Sequence, residues 1–302
     1  MTRGRRERGC GSAPPASLSR VRAQAEVAGS TPLPGDHHRL TLRAPEIVSR
    51  AAPGQFLLVW CHDPADLDRP PSAAVLRRPL SISRLRPPDR LELLLRVRGV
   101  GGALLARKQA GEMLDVIGPL GRGFEIPEEA KLAVIVAGGI GIAPVPFLCD
   151  ALVARGARVV LLAGATADER LPFPVKRSRG RRATVPELEA LGVEVTYTSE
   201  AVEGAVVGAL LQERLTEFMH AGACFYAVGP RAMMRHVAEI TRGHAFLQVS
   251  LEERMACGVG ACRSCVVPIS GEAGVEYLTS CREGPVFDAA RIAWEVLDDT
   301  RP

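Results

Sequence analysis

The chain has 302 residues, of which 47% are hydrophobic, 24% charged and 4% aromatic, a composition typical of soluble globular proteins with two or three domains. Its formal net charge is +4, but the first 22 residues carry six Arg and one Glu, so the rest is close to neutral. A near-neutral body argues against nucleic-acid binding, and the lack of any run of 18 apolar residues argues against a membrane-spanning helix. No apolar stretch follows the basic N-terminus, so we expect a cytoplasmic protein with a disordered tail rather than a secretory signal.

Short β-like runs alternate with turns that contain Pro and Gly between residues 20 and 127. Strands are predicted at residues 21–27, 39–42, 55–60, 91–97 and 113–117. Several short strands at this spacing predict an antiparallel barrel. The adjacent His37 and His38 fall in a turn rich in Pro and Gly, where we expect them to be solvated.

The pattern changes at about residue 128. Residues 132–137 form a continuous apolar run, which is typical of a buried parallel strand. Further strands are predicted at residues 158–163, 193–198 and 223–228, and helices at residues 206–220 and 231–241. This alternation predicts a doubly wound parallel sheet. After residue 246 we predict a short strand, a loop that contains cysteines, and a tail with little periodicity.

Four of the eight cysteines lie close together with the spacing C-x4-C-x2-C, followed by one more sixteen positions later. They are Cys257, Cys262, Cys265 and Cys281. Thiolates are the ligands of iron–sulfur clusters, and a [2Fe–2S] cluster takes four. A structural zinc site is the alternative, but four-cysteine zinc sites usually consist of two C-x2-C pairs. The spacing therefore favours a [2Fe–2S] cluster.

A glycine-rich loop follows the apolar strand and opens a helix; its glycines are Gly138, Gly139 and Gly141. Glycines at such a place let the backbone approach a pyrophosphate, whose negative charge the helix N-terminus favours. A glycine turn needed only for packing is the alternative. We find no clear acidic residue about 20 positions further on that would bind a ribose in the usual way.

The barrel half contains the motif Arg78-Pro79-Leu80-Ser81, between two β-like runs. An Arg and a Ser hydroxyl that lie close together can hold a phosphate group. An isolated tetrapeptide of this kind also fits a solvated loop.

The three motifs in this order resemble those of the ferredoxin–NADP reductase-like flavoproteins, most closely the electron-transfer subunits of type B dihydroorotate dehydrogenases, over about residues 20–290. The resemblance implies that FAD contacts Arg78, Pro79, Leu80, Ser81, Leu94, Leu95, Arg96, Gly101 and Gly102. It implies that NAD contacts Gly138, Gly139, Gly141, Gly229 and Pro230, and that the four clustered cysteines bind [2Fe–2S]. No side chain is implied to be catalytic.

The resemblance gives the predicted domains their roles. We predict a multi-domain β plus α/β protein made of a disordered basic tail (1–19), an antiparallel FAD-binding β-barrel (20–127), a doubly wound NAD-binding α/β domain (128–245) and a small [2Fe–2S] domain (246–302).

The resemblance also implies a partner and a reaction. The partner is an FMN-containing dihydroorotate dehydrogenase catalytic subunit, in a heterotetramer of two chains of each kind, which serves pyrimidine biosynthesis. Electrons pass from it through [2Fe–2S] and FAD to NAD. Because the cluster carries single electrons and nicotinamide accepts a hydride, the flavin must stand between them. The alternatives are a reductase subunit of a hydrogenase or of an NADH-dependent ferredoxin–NADP oxidoreductase, and a non-enzymatic regulator stabilised by zinc.

The sequence departs from the family pattern at three places. Gly102 stands where the family usually has Thr, and Val228 stands where it usually has Cys. Residues 176–182 read KRSRGRR and look like an insertion, which we expect to be a solvated loop rather than a site for the extra phosphate of NADP. The choice between NAD and NADP stays open at this stage.

Overall fold

The computed structural model describes residues 20–61, 76–177, 183–242 and 246–299. The predicted disordered tail and residues 178–182 of the arginine-rich loop lie outside the described residues. Within the described ranges, no helix combines the length and the apolar character needed to cross a membrane.

The first part of the chain forms the predicted antiparallel barrel. Its strands are β1 (Val21–Leu33), β2 (His37–Arg43), β3 (Phe56–Val59), β4 (Arg78–Arg86), β5 (Arg90–Arg96) and β6 (Met113–Leu120). Together they close in the order β1-β2-β5-β4-β3-β6. Among the described residues of this part, two helices accompany the strands, α1 (Pro45–Val48) and α2 (Gly99–Ala106). Alternate positions along the strands fill the interior with buried aliphatic side chains such as Leu40, Leu57 and Leu93.

The motif at residues 78–81 does not lie between strands, as we expected, but opens β4. This strand pairs antiparallel with β3, so that Pro79 stands opposite Leu58 and Leu80 opposite Leu57. The strand is hard to predict from the sequence because proline has no N–H to donate to a neighbouring strand. A proline within a β-like run therefore argues against a central strand. The pairing fixes the motif in the wall of the barrel.

A second misplacement concerns His37 and His38. Both belong to β2 and are buried, with 3% and 7% of their surfaces exposed. A ring nitrogen of His37 is hydrogen-bonded to the Pro34 carbonyl oxygen at 2.8 Å, and a ring nitrogen of His38 to the Ser30 hydroxyl at 2.8 Å. The sequence correctly predicts a turn here, but the turn ends at Asp36, and the strand begins at the next residue, His37.

The second part of the chain forms the predicted doubly wound sheet. Its strands are β7 (Leu132–Gly138), β8 (Arg158–Ala165), β9 (Glu194–Ser199), β10 (Cys224–Val228) and β11 (Leu247–Ser250), all parallel. The helices between them are α3 (Val145–Ala154), α4 (Pro186–Glu189), α5 (Glu200–Glu203), α6 (Val207–His220) and α7 (Arg231–Ile240). Every residue of β7 is buried. Its alternate side chains pack with α3 on one face and with α6 and α7 on the other.

The strand order of this sheet determines where a ligand can bind. The order β11-β10-β7-β8-β9 places β7 between β8 and β10, so the chain reverses direction across the sheet after β9. In open α/β sheets, ligands bind outside the carboxyl ends of the strands at such a switch point. The loops that follow β7 and β10 both lie there.

The sheet continues past the predicted boundary at residue 245. Beyond that boundary, β11 and β14 (Val286–Asp288) pair with each other, and β11 also pairs with β10. Between β11 and β14 lie the cysteine loop and a hairpin of β12 (Val266–Gly271) and β13 (Gly274–Thr279); α8 (Trp294–Asp299) follows. The sequence analysis assigned no element to the chain after the cysteine loop. A separate cluster domain at 246–302 stays a prediction.

Candidate cofactor sites

The cysteine loop directs backbone amides at sulfur atoms. The Gly260 N–H donates to Cys281 Sγ at 3.1 Å, and the N–H groups of Cys262 and Val259 donate to Cys257 Sγ at 3.4 and 3.5 Å. Such donors stabilise thiolate charge and tune the potential of a bound cluster. These N–H groups therefore favour the thiolate form of Cys257 and Cys281, which is the form that binds iron.

The four thiols form two pairs. Cys262 contacts Cys257, and Cys281 contacts Cys265. Within the described residues, no three or more His, Cys, Asp or Glu side chains are gathered around one position that could hold a metal ion. A zinc site needs four ligands around a single ion, whereas a [2Fe–2S] cluster takes two ligands on each of two irons. Two pairs of thiols fit the two irons of a [2Fe–2S] cluster.

The two pairs differ in their surroundings. Cys265 and Cys281 are each 2% exposed and pack against Leu58 and its neighbours in β3 and β6, whereas Cys262 is exposed. Burial, followed by the contact with Cys265, raises the pKa of Cys281 to about 12. A hydrogen bond with the Ser264 hydroxyl is the main reason that the pKa of Cys262 falls to about 6. One pair thus faces the barrel and the other faces outward.

The loop after β6 joins the barrel to the cluster region. The Arg122 N–H donates to the Gly284 carbonyl oxygen at 2.5 Å. On the barrel side, the Gln55 side-chain amide donates to the Gly121 carbonyl oxygen at 2.8 Å. Gly284 follows Cys281 by three residues, so these bonds fix the approach of the fourth cysteine.

The flavin motif meets the first turn of α2. A Cβ on Gly101 would lie 2.7 Å from Nε of Arg78, so the guanidinium occupies the space that a side chain would fill. At Gly102, a Cβ would lie 3.3 Å from Cα of Val97, so the Thr usual in the family would fit tightly here. A guanidinium over the first turn of a helix forms a cradle for a phosphate group. These residues fit the pyrophosphate of FAD.

The second stretch predicted to bind flavin divides between two environments. Leu94 and Leu95 are both 3% exposed, and they face opposite sides of β5. Leu95 packs into the barrel core, and Leu94 packs with the core of the parallel sheet. Arg96 Nε donates to Asp36 Oδ2 at 2.7 Å. Because both leucine side chains are buried in cores, their backbone is the part left for flavin.

The two nucleotide loops touch each other at the switch point. A Cβ on Gly141 would lie 2.6 Å from Cα of Gly229, so this close approach requires glycine. Gly139 has a φ of +55° and open space around it. Val228 is the buried last residue of β10, and Pro230 is the N-cap of α7. Gly138 ends β7 beside them, so the structure gathers all five residues predicted to bind the nucleotide.

Comparisons with known proteins decide the family. Residues 252–293 match the model of the iron–sulfur cluster binding domain of dihydroorotate dehydrogenase B. The dihydroorotate dehydrogenase B (NAD(+)) electron transfer subunit of Desulforamulus reducens is 34% identical, over 83% of this chain and 90% of its own length. The protein of the same name from Enterococcus faecalis is 34% identical, over 84% of this chain and 92% of its own. The chain belongs to the family of dihydroorotate dehydrogenase B electron transfer subunits.

Solved structures agree with the fold of this dihydroorotate dehydrogenase B family member. A chain of the NADH-dependent reduced ferredoxin–NADP oxidoreductase has a TM-score of 0.72 and 24% identity, with 92% of each chain covered. The ferredoxin–NADP⁺ reductase of Plasmodium falciparum has a TM-score of 0.57 and 14% identity, covering 76% of this chain and 96% of its own. At these identities the likeness shows the fold alone. It confirms a barrel followed by a doubly wound sheet.

The structure of this family member also shows that Arg177, which we expected in a solvated loop, is held by two acidic residues that the sequence analysis missed. Arg177 lies between Asp168 and Glu203: its Nε and Nη2 donate to the two oxygens of Asp168 at 2.7 Å each, and its Nη1 donates to Glu203. The Tyr197 hydroxyl donates to Asp168 at 2.9 Å. We call Asp168, Arg177 and Glu203 the arginine clamp. Asp168 follows β8 by three residues, which is further along the chain than the window in which an acidic residue was sought.

Proposed function

We propose that this chain carries electrons from an FMN-containing dihydroorotate dehydrogenase catalytic subunit, through one [2Fe–2S] cluster and one FAD, to NAD. The observation that supports it most is the contact between sites: the cysteine loop packs on β3, and β3 pairs with the strand that carries the flavin motif. When bound, the cluster supplies one-electron transfer, the nicotinamide accepts a hydride, and the flavin can do both.

The cysteines have different tasks in this proposal. Cys265 and Cys281 hold the side of the cluster that faces the barrel, where Leu58 and neighbouring apolar side chains exclude water. Cys257 and Cys262 hold the outer side. Since Cys262 is exposed, the outer side is the one that a partner subunit can approach.

The barrel and the sheet position the other two cofactors. Arg78 and the first turn of α2 hold the pyrophosphate of FAD, and the loops at Gly141 and Gly229 accept the dinucleotide at the switch point. No side chain of this chain acts as an acid or a base. The contribution of the protein is to place the cofactors, to shield them from water and to tune their potentials.

The assembly follows from the nature of the chain. Because its relatives are named as subunits, a separate catalytic chain must hold the dihydroorotate site. We infer a heterotetramer with two copies of each chain, acting in the cytoplasm in pyrimidine biosynthesis. Each dihydroorotate oxidised to orotate releases two electrons and two protons; NAD⁺ takes up both electrons and one of the protons.

Co-purification tests this function. The chain is isolated with its native partner, the partner is identified, and the complex is mixed with dihydroorotate and NAD⁺ in the absence of oxygen. Orotate and NADH should then form in equal amounts. Neither subunit alone should reduce NAD⁺ with electrons from dihydroorotate. If orotate never forms with the native partner, the proposed function is wrong.

A further inference from the structure

The arginine clamp lies at the same edge of the sheet as the nucleotide loops. Gly138 pairs with Gly164 in the register of β7 and β8, and Asp168 follows the end of β8. Glu203 belongs to α5, directly after β9, which is the next strand. In dinucleotide-binding folds, residues just beyond the second strand of the sheet face the adenosine ribose. The clamp therefore occupies the position where a 2′-hydroxyl and a 2′-phosphate are distinguished.

The two carboxylates occupy both bidentate edges of the Arg177 guanidinium. Besides the two bonds to Asp168 and the bond from Nη1 to Glu203, its Nη2 lies 3.4 Å from the second Glu203 oxygen. Glu203 is itself held in place, since one of its oxygens accepts the Ser199 N–H at 2.7 Å. With both of its paired N–H edges occupied, the guanidinium cannot bind another anion in a bidentate way.

The charges in the clamp do not cancel. Hydrogen bonds from Arg177 are the main reason that the pKa values of Asp168 and Glu203 lie below their usual range, so both are ionised at neutral pH. Burial raises the pKa of Tyr197, which stays neutral. One guanidinium against two carboxylates leaves the clamp itself with one net negative charge.

One further observation fits a nucleoside at this edge. Val202 and Val206, which flank Glu203 in the chain, are 59% and 54% exposed. An apolar surface beside carboxylates suits an adenine ring whose ribose hydroxyls donate to the carboxylates.

We propose that Asp168 and Glu203 make the nucleotide site specific for NAD(H) over NADP(H), because they engage Arg177 and present net negative charge where a 2′-phosphate would lie. The inference rests on the proposed function, and it assigns the residues that select NAD(H) in that function. A 2′-hydroxyl can donate to these carboxylates, whereas a 2′-phosphate, with close to two negative charges at neutral pH, is repelled.

The test compares NADH and NADPH as electron donors to an artificial acceptor, so that no catalytic subunit is needed. Wild-type protein should prefer NADH. The double variant Asp168→Asn, Glu203→Gln should lower the ratio of kcat/KM for NADH to that for NADPH by about 10- to 100-fold. Adding Arg177→Ala to the double variant should remove the gain with NADPH, because the released guanidinium is what binds the phosphate.

A matched control exists at the opposite end of β9. Arg214 lies between Glu194 and Glu217 in the same way, with its Nε 2.9 Å from Glu217, and Glu194 is the first residue of the strand. The variant Glu194→Gln, Glu217→Gln makes the same change in charge far from the switch point. It should leave the NADH to NADPH ratio within about twofold of wild type.

Binding gives a second readout that does not depend on turnover. Calorimetric titration should show that ADP binds wild-type protein more tightly than 2′,5′-ADP does, and that the double variant reverses or removes this difference. Flavin absorbance and melting temperature check that each variant is folded; the single variant Glu203→Gln replaces the double variant if the latter is unfolded.

The outcomes separate this inference from the proposed function. Efficient use of NADPH by wild-type protein, or a double variant whose ratio stays at the wild-type value, overturns the inference and leaves the electron-transfer function standing. The inference is also overturned if the double variant keeps its higher kcat/KM for NADPH after Arg177→Ala is added to it. If wild-type protein oxidises neither nucleotide, the proposed function fails and the inference fails with it.

Discussion

Gly258 lies directly against Leu58, with no space for a side chain on the glycine. Gly258 follows the first cysteine of the cluster loop, and Leu58 is part of β3, opposite Pro79 of the flavin motif. The cysteine loop and the flavin motif are therefore attached to neighbouring strands of one barrel wall. This contact is the physical link between the cluster site and the flavin site of the proposed relay.

Replacement of Gly258 by alanine should release the cysteine loop from the barrel. The new Cβ would overlap Leu58, and the φ of +65° costs an L-residue about 1–2 kcal/mol. We expect less iron and sulfide per chain, with the FAD content unchanged. Gly222→Ala is the control, because Gly222 has the same φ of +65° but open space at its Cβ. Full iron content in Gly258→Ala would show that the contact is unimportant.

Replacement of Cys281 by serine should abolish the cluster. Cys281 accepts the Gly260 N–H and packs on the barrel, and serine is a poor ligand for iron compared with a thiolate. Iron analysis and electron paramagnetic resonance of the reduced protein measure the loss. Cys224→Ser, at a buried cysteine in β10 outside the cluster, should keep full iron content. Loss of iron in both variants would instead indicate a general folding defect.

Replacement of Arg78 by alanine should weaken the binding of FAD. Loss of a hydrogen bond to a charged group costs about 1.5–3 kcal/mol, so the Kd of FAD should rise by about 10- to 100-fold. Titration of flavin-free protein with FAD measures this. Arg90→Ala, at an exposed arginine of β5 in the same barrel, should leave the Kd unchanged. An unchanged Kd in Arg78→Ala would remove this residue from the flavin site.

The stability of the barrel should fall in acid because of Asp115. Burial alone would raise the pKa of this carboxyl, but hydrogen bonds from Arg22 and Arg77 outweigh burial and hold the pKa below its usual value. A carboxyl with a lowered pKa in the folded state stabilises the fold above its unfolded-state pKa of about 4. That contribution is lost as the pH falls through the folded-state pKa.

The variant Asp115→Asn isolates this effect. At pH 7 it should be less stable than wild type by about 1–3 kcal/mol, and the difference should shrink towards pH 3. Urea unfolding at the two pH values gives both numbers. Asp89→Asn, at a partly exposed carboxyl, is the control and should change stability by less than about 1 kcal/mol. A difference between Asp115→Asn and wild type that does not vary with pH would contradict the assignment.

Structural features that depend on a short stretch of sequence could be predicted. The apolar run at residues 132–137 corresponds to β7, and the cysteine spacing predicted a site whose four thiols the structure brings together in pairs. Both follow from local rules: a parallel strand is buried on its two faces, and a cluster loop needs a fixed spacing of ligands.

Features that depend on distant contacts could not be predicted. Asp168, Arg177 and Glu203 meet only because β8 and β9 end at the same edge of the sheet. The hairpin of β12 and β13 was not predicted because β13 shows no alternation of buried and exposed positions. Most of this strand is exposed, including Val275 and Tyr277.

The relay itself is tested most directly by adding dihydroorotate, and then NAD⁺, to the complex of this chain with its catalytic subunit, and by comparing wild type with Cys281→Ser. In the wild-type complex, the electron paramagnetic resonance signal of the reduced cluster should appear and NADH should form. In the Cys281→Ser complex, dihydroorotate should still reduce the FMN of the catalytic subunit, but NADH should not form. NADH production at the wild-type rate without the cluster would contradict the account.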